Sequence, residues 1–245
     1  IQANGIKGIY TGGIVGQSLS GEDIINQCSS NIEIEVDSSN TNSLTVAGIG
    51  ESSEIKNCYF AGNILVIGEN SGMKNIAGIG NAKLISNSYN TGSIKVYFDN
   101  ENADQLYVAG ILLGGGKTIE NCYNLGEIDC KNSNKIYIAG IESNAQDGEI
   151  NNCFNVGNLK ASANTITLGA LTGFTANQIV SNSKWLTGTA DKAIGAEGSN
   201  VTKNNIEEVS DIKDMPSVLS VINSENAFKE DVNNVNNGYP ILNWQ

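Results

Sequence analysis

The densest set of oxygen-bearing side chains in this chain is Asp99-Asn100-Glu101-Asn102-Ala103-Asp104. Calcium is held by about six to eight oxygens. Asp99, Glu101 and Asp104, with the two amides between them, could begin such a site. The spacing matches no EF-hand loop, and a solvated acidic loop is the simpler reading. Asp147 and Glu149 stand in a similar joining region further on. Three tyrosines offer a different chemistry. Tyr107 and Tyr137 fall on the outward phase of alternating segments, and Tyr97 borders the same acidic insertion. Exposed tyrosines in a row suit sugar rings or protein partners, although cross-strand packing would place them the same way.

Other chemistry is limited by composition. The chain has no His, and all 14 of its basic residues are Lys. That removes His-based triads, His-ligated zinc or iron, and the bidentate Arg clamp for phosphate or carboxylate. A net charge of −12 repels nucleic acid and anionic membrane surfaces. Paired carboxylates could still hydrolyse a glycosidic bond, but the acids scatter among loops, and no enzymatic activity is expected. No apolar run is long enough to span a membrane. The chain starts at Ile1 without a start methionine or signal peptide, which suggests a fragment or mature chain with further domains in a larger parent.

The elements that would position these residues are repeats. Ile119-Glu120-Asn121-Cys122-Tyr123-Asn124 followed by Gly126 and Ile128 recurs around Asn57, Asn87 and Asn152, with weaker copies around Gln27 and Asn182. The position held by Cys28, Cys58, Ser88, Cys122, Cys153 and Ser183 advances by 30, 30, 34, 31 and 30 residues. A Gly-Ile phrase precedes each copy, as in Ala109-Gly110-Ile111. A period near 30 marks a solenoid. Alternation in Leu106-Tyr107-Val108 and Ile32-Glu33-Ile34-Glu35-Val36 marks its elements as short strands.

Stacking such coils predicts ladders of like residues. Ile25, Ile55, Ile85, Ile119, Ile150 and Val180 form one inward column. Ile34, Ile64, Ile94, Ile128 and Leu159 form a second, and Val36, Val66, Val96, Cys130 and Ala161 a third, which puts Cys130 in the core. Asn57, Asn87, Asn121, Asn152 and Asn182 form a polar column of stacked corner amides. Cys28, Cys58, Cys122 and Cys153 form either an inward thiol column or disulfides joining Cys28 to Cys58 and Cys122 to Cys153. Tyr59, Tyr89, Tyr123 and Phe154 form a regular aromatic column with a structural role.

The repeat decays after Ser183. From Asn205, the spacing of Ile206, Val209, Ile212 and Met215 predicts a helix, with Asn205 and Glu208 as a capping box. Pro216 starts a second helix, and Tyr239 to Trp244 reads as an edge strand. Residues 1–185 are therefore expected to be a β-solenoid repeat domain. Residues 186–245 are expected to be a capping segment with short helices that covers the solenoid end.

Gly12-Gly13-Ile14-Val15-Gly16, with Ile-x-Asn-Cys-Tyr-Asn-x-Gly-x-Ile in later copies, resembles the GLUG-motif repeats of large bacterial cell-surface proteins, over about residues 8 to 185. The closing segment, from Trp185-Leu186 to Gly238-Tyr239-Pro240-Ile241-Leu242-Asn243-Trp244, is similar to the tail that often follows such repeats. Gln27 and Ile32 in the first copy and Ala170 in the sixth depart from the pattern. The resemblance implies an extracellular solenoid on a surface or secreted adhesin-like protein, and it carries over no catalytic residues.

The sequence as a whole is read as an all-β parallel solenoid of about six coils with a small α-containing cap. Its expected function is a non-enzymatic cell-surface adhesion module presenting a rigid side to a host or environmental glycan or protein. A passive spacer and a carbohydrate-active enzyme are the alternatives. No cofactor beyond calcium is expected.

Overall fold

The structure, a computed structural model, describes residues 2–3, 8–18, 22–39, 41–69, 72–99, 105–115, 117–211, 215–223 and 225–245. Short parallel strands stack into a β-solenoid of about five turns, with one short helix, Met215–Ile222. Each central coil supplies strands to three sheets, joined at sharp corners. The predicted columns exist in register. Ile25, Ile55, Ile85, Ile119, Ile150 and Val180 are successive partners. So are Ile34, Ile64, Ile94, Ile128 and Leu159, and Val36, Val66, Val96, Cys130 and Ala161. Burying each aliphatic side chain of this kind contributes about 1.5–3 kcal/mol.

Backbone conformation explains the corner asparagines. Gln27, Asn57, Asn87, Asn121, Asn152, Asn182 and Asn205 all have φ between 45° and 55°. This left-handed region is costly for most side chains and tolerated best by Gly and Asn. The amides add a broken ladder rather than a continuous one. Asn152 donates to Asn121 Oδ1 at 3.1 Å and Asn205 to Asn182 Oδ1 at 3.0 Å, whereas Asn57 and Asn182 donate to Asn26 and Asn151 on the preceding coils.

A second amide ladder is continuous. Asn90, Asn124 and Asn155 are fully buried, one rung above another. Asn90 donates to Asn124 Oδ1 and Asn124 to Asn155 Oδ1, each at 2.8 Å. Each amide also donates to the carbonyl two residues on, of Gly92, Gly126 or Gly157. These amides fill the space beside Gly78, Gly110 and Gly140, where any added Cβ would overlap them. The Gly-Ile phrase and the Asn-x-Gly phrase are thus two halves of one packing contact. Phe60 takes the amide's place beside Gly48, and Trp185 ends the column.

Residues 202–209 correct the predicted helix. Thr202–Val209 is a strand that pairs in parallel with Gln178–Leu186. Asn205, read as a helix cap, is one more left-handed corner. The corner breaks the alternation, so Ile206 and Val209 acquire a helix-like spacing while each still faces a neighbouring strand. Ile212 lies outside the described residues. The helix expected at Pro216 is present as Met215–Ile222.

The described part of the tail reaches Leu186 and Val209 of the last paired strands. It lies along the side, where Val218, Ile222, Phe228 and Leu242 pack on Tyr123 and Phe154. Phe228–Lys229 and Ile241–Leu242 form a small antiparallel pair, and Trp244 donates from Nε1 to the Asn87 carbonyl at 3.0 Å. The aromatic column Tyr59, Tyr89, Tyr123 and Phe154 is stacked at 4.8–5.0 Å and is the surface the tail grips.

Replacing Asn124 with Ala should lower stability by about 1–3 kcal/mol, because it strands buried amide groups of Asn90 and Asn155. Urea denaturation checks this, and an unchanged midpoint would remove the ladder as a source of stability.

Candidate functional site

Outward residues of one strand column form a row along the solenoid. Tyr10, Thr45, Asn75, Tyr107, Tyr137 and Thr167 are successive register partners. Tyr107 and Tyr137 stack with ring centroids 4.9 Å apart and planes 9° from parallel. Phe174 meets the edge of Tyr137, and Lys135 Nζ lies 4.7 Å from its ring centre. Tyr107 donates from its hydroxyl to Gln105, and partial burial, with Tyr137 close by, raises its pKa.

Beside this row runs an open trough of about 390 Å³. Its floor is Tyr10, Thr45, Asn75 and Tyr107, and its far wall carries Gln17, Glu51, Asn81, Gly114 and Asn144. Tyr10 and Tyr107 stand three ladder steps apart, about 14 Å at the usual strand spacing. Between these aromatic ends the trough offers amides and a hydroxyl, with Glu51 its sole charged lining residue. Tyr10 was missed in the sequence reading, although aligning Ile9-Tyr10-Thr11-Gly12 with Leu106-Tyr107-Val108-Ala109 puts it in the Tyr107 column. Asn81 and Asn144 lie on the short strands Gly80–Asn81 and Glu142–Ala145, and Gln17 on a loop.

The other expected residues lie elsewhere. Tyr97 is on the strand Ser93–Phe98, donating to Asp129 Oδ2 at 2.7 Å beneath Lys131 Nζ, and does not join the row. Burial and the Asp129 carboxylate push its pKa up to about 12. Asp99 is exposed, and its backbone N–H reaches the Gly68 carbonyl at 3.0 Å. Glu101 and Asp104 lie outside the described residues. Among the described residues, no cluster of three or more His, Cys, Asp or Glu is arranged to hold a metal. The thiol column is present and all five cysteines are free. Cys58, Cys122 and Cys153 are buried with sulfur near backbone carbonyls, while Cys28 is half-exposed.

Two buried ionisable groups escaped the sequence reading. Lys74 stands inward between its register partners Leu44 and Leu106, donating to the Thr41 carbonyl at 2.6 Å, and burial pushes its pKa down to about 8. Glu142 is fully buried. It accepts from Gln178 Nε2 at 2.6 Å through Oε2, Oε1 has no partner, and burial pushes its pKa up to about 8. Lys74 was visible as a polar residue in an aliphatic register position, whereas Glu142 stands between Leu112 and Thr172 in a mixed column.

Comparisons with protein-family models, curated proteins and solved structures return no match. Fold and site together define a parallel β-solenoid with a lateral trough of tyrosines and amides.

The folded state holds the Glu142 proton more tightly than the unfolded chain does, so stability should fall as pH rises from about 4.5 to about 8, and the lowered pKa of Lys74 should raise it again between about 8 and 10.5. Melting temperature against pH tests this, and Glu142→Gln should flatten the falling slope. Native-state labelling with N-ethylmaleimide should modify Cys28 quickly and the other four thiols only on unfolding. No labelling of Cys28 would mean that it is paired with Cys58.

Proposed function

We propose that this protein is a non-enzymatic interaction module of a bacterial cell-surface or secreted protein, and that the trough binds an uncharged glycan chain. The observation that carries this reading is the Tyr10-to-Tyr107 trough, with aromatic ends and an amide and hydroxyl lining. Aromatic faces cover the apolar side of a sugar ring while amides and hydroxyls exchange hydrogen bonds with its edge. Among the described residues no cation lines the trough, so they offer an anionic saccharide nothing, and Glu51 disfavours it. Glycoside hydrolysis uses two carboxylates, and the trough lining supplies one, which supports binding without turnover. The GLUG-like repeats support the extracellular placement, with further domains in a larger parent. The stacked, in-register ladders also suit a spacer, the second reading, which needs no ligand at all.

A glycan array probed with the purified protein, with and without millimolar calcium, tests the proposal. Neutral oligosaccharides should be retained, and Tyr107→Ala and Asn75→Ala should each weaken retention about tenfold, corresponding to about 1.4 kcal/mol. Calcium dependence would bring the 99–104 segment into the site. A blank array, or retention indifferent to both substitutions, would leave the spacer reading standing.

A further inference from the structure

The aromatic column on the tail side ends in an unfilled position. Phe154, Tyr123, Tyr89 and Tyr59 stack one rung after another at 4.8–5.0 Å, with planes within 10° of parallel. The next rung, the register partner of Tyr59, is Ser29. The first repeat reads Gln27-Cys28-Ser29 where the second reads Asn57-Cys58-Tyr59, so one face of the Tyr59 ring has no ring stacked upon it. Trp244 flanks the Tyr59–Tyr89 pair, nearer Tyr89 than Tyr59. Its indole is fixed by Nε1 on the Asn87 carbonyl and lies 6.5 Å from Tyr59 and 5.8 Å from Tyr89, tilted by about 30° from both. The result is a niche of about 300 Å³ lined by Gln27, Cys28, Ser29, Asn57, Tyr59 and Trp244.

We infer that this niche is a second binding site, separate from the trough, and that it takes a neutral pyranose ring as the missing rung on Tyr59. The free face of Tyr59 lies below the ligand, and the Trp244 indole, 28° from parallel to it, extends that floor to one side. The remaining lining is two side-chain amides, a hydroxyl and a thiol, with no charge. Aromatic faces with neutral polar groups at the rim match a sugar, whose ring C–H face is apolar and whose edge is hydroxylated. A flat aromatic ligand would fill the rung but leave the Gln27 and Asn57 amides without ring hydroxyls to meet. Gln27 and Ser29, which stand where the next repeat has Asn57 and Tyr59, both line the niche.

Titration with methyl β-D-glucopyranoside, methyl β-D-galactopyranoside and N,N′-diacetylchitobiose tests this by two readouts. One is the fluorescence of Trp244, the more exposed of the two tryptophans; the other is protection of Cys28 from N-ethylmaleimide. At least one sugar should saturate both signals in the millimolar range, and Trp244→Ala should weaken it at least tenfold. Ser29→Tyr fills the rung from within the chain. It should abolish both responses while melting no lower than the parent, which separates a blocked site from a broken fold. Absence of any saturable response, a response unchanged by Ser29→Tyr, or stronger Cys28 protection by N-acetyltyrosinamide than by every sugar would overturn the proposal. Ser29 and Trp244 lie outside the trough, so loss at one site with retention at the other separates this inference from the proposed function.

Discussion

Everything in this structure depends on turning the chain at the same corner in every coil. Seven residues, Gln27 and six asparagines, adopt a left-handed conformation there. Strands on either side of that corner can then stack in register, and register is what converts a loose sequence repeat into continuous columns. A single coil cannot bury its inward face. Its neighbours do so, at the spacing of parallel strands. The corner therefore sets direction, register sets the columns, and the columns supply the core.

The same geometry makes the solenoid tolerant on its surface and strict within. Gly78, Gly110 and Gly140 are fixed by the buried amides of Asn90, Asn124 and Asn155, so two distant phrases in each repeat are tied to one contact. Outward positions face no such demand. Thr45, Asn75, Tyr107 and Tyr137 occupy equivalent rungs with quite different side chains. A binding surface can be written onto such rungs without disturbing the stack, which is where the trough lies.

Much of the fold was legible because ladders repeat. Ile25 to Val180, Ile34 to Leu159 and Val36 to Ala161 were all readable from spacing alone. The corner asparagines were also readable, but their backbone conformation was not, so amide stacking was credited with work done by φ. Thr202–Val209 misled because Asn205 interrupts alternation and leaves Ile206 and Val209 three apart, a spacing shared by helices. The tail's grip on the aromatic column was not legible, because periodicity says nothing about which face of a solenoid a non-repeating segment will pack on. Of the site, Tyr107 and Tyr137 were legible as outward neighbours. Gln17, Asn81 and Asn144 were not, since Gln17 is on a loop and the strands of Asn81 and Asn144 are too short to show alternation. Lys74 shows the reverse case, a polar residue in a column whose aliphatic character could have flagged it.

The lateral course of the tail also sets how the molecule carries load. Trp244 and Gln245 are attached beside Asn87 and Tyr123, well back along the stack from the corner at Asn205. A pull on the last residue therefore enters the stack near its middle, and the coils around Ser183 and Asn205 lie off the line of tension. They feel it only after the strap peels, rung by rung, from Tyr59, Tyr89 and Tyr123. The aromatic column is thus where the tail's hold on the solenoid is concentrated.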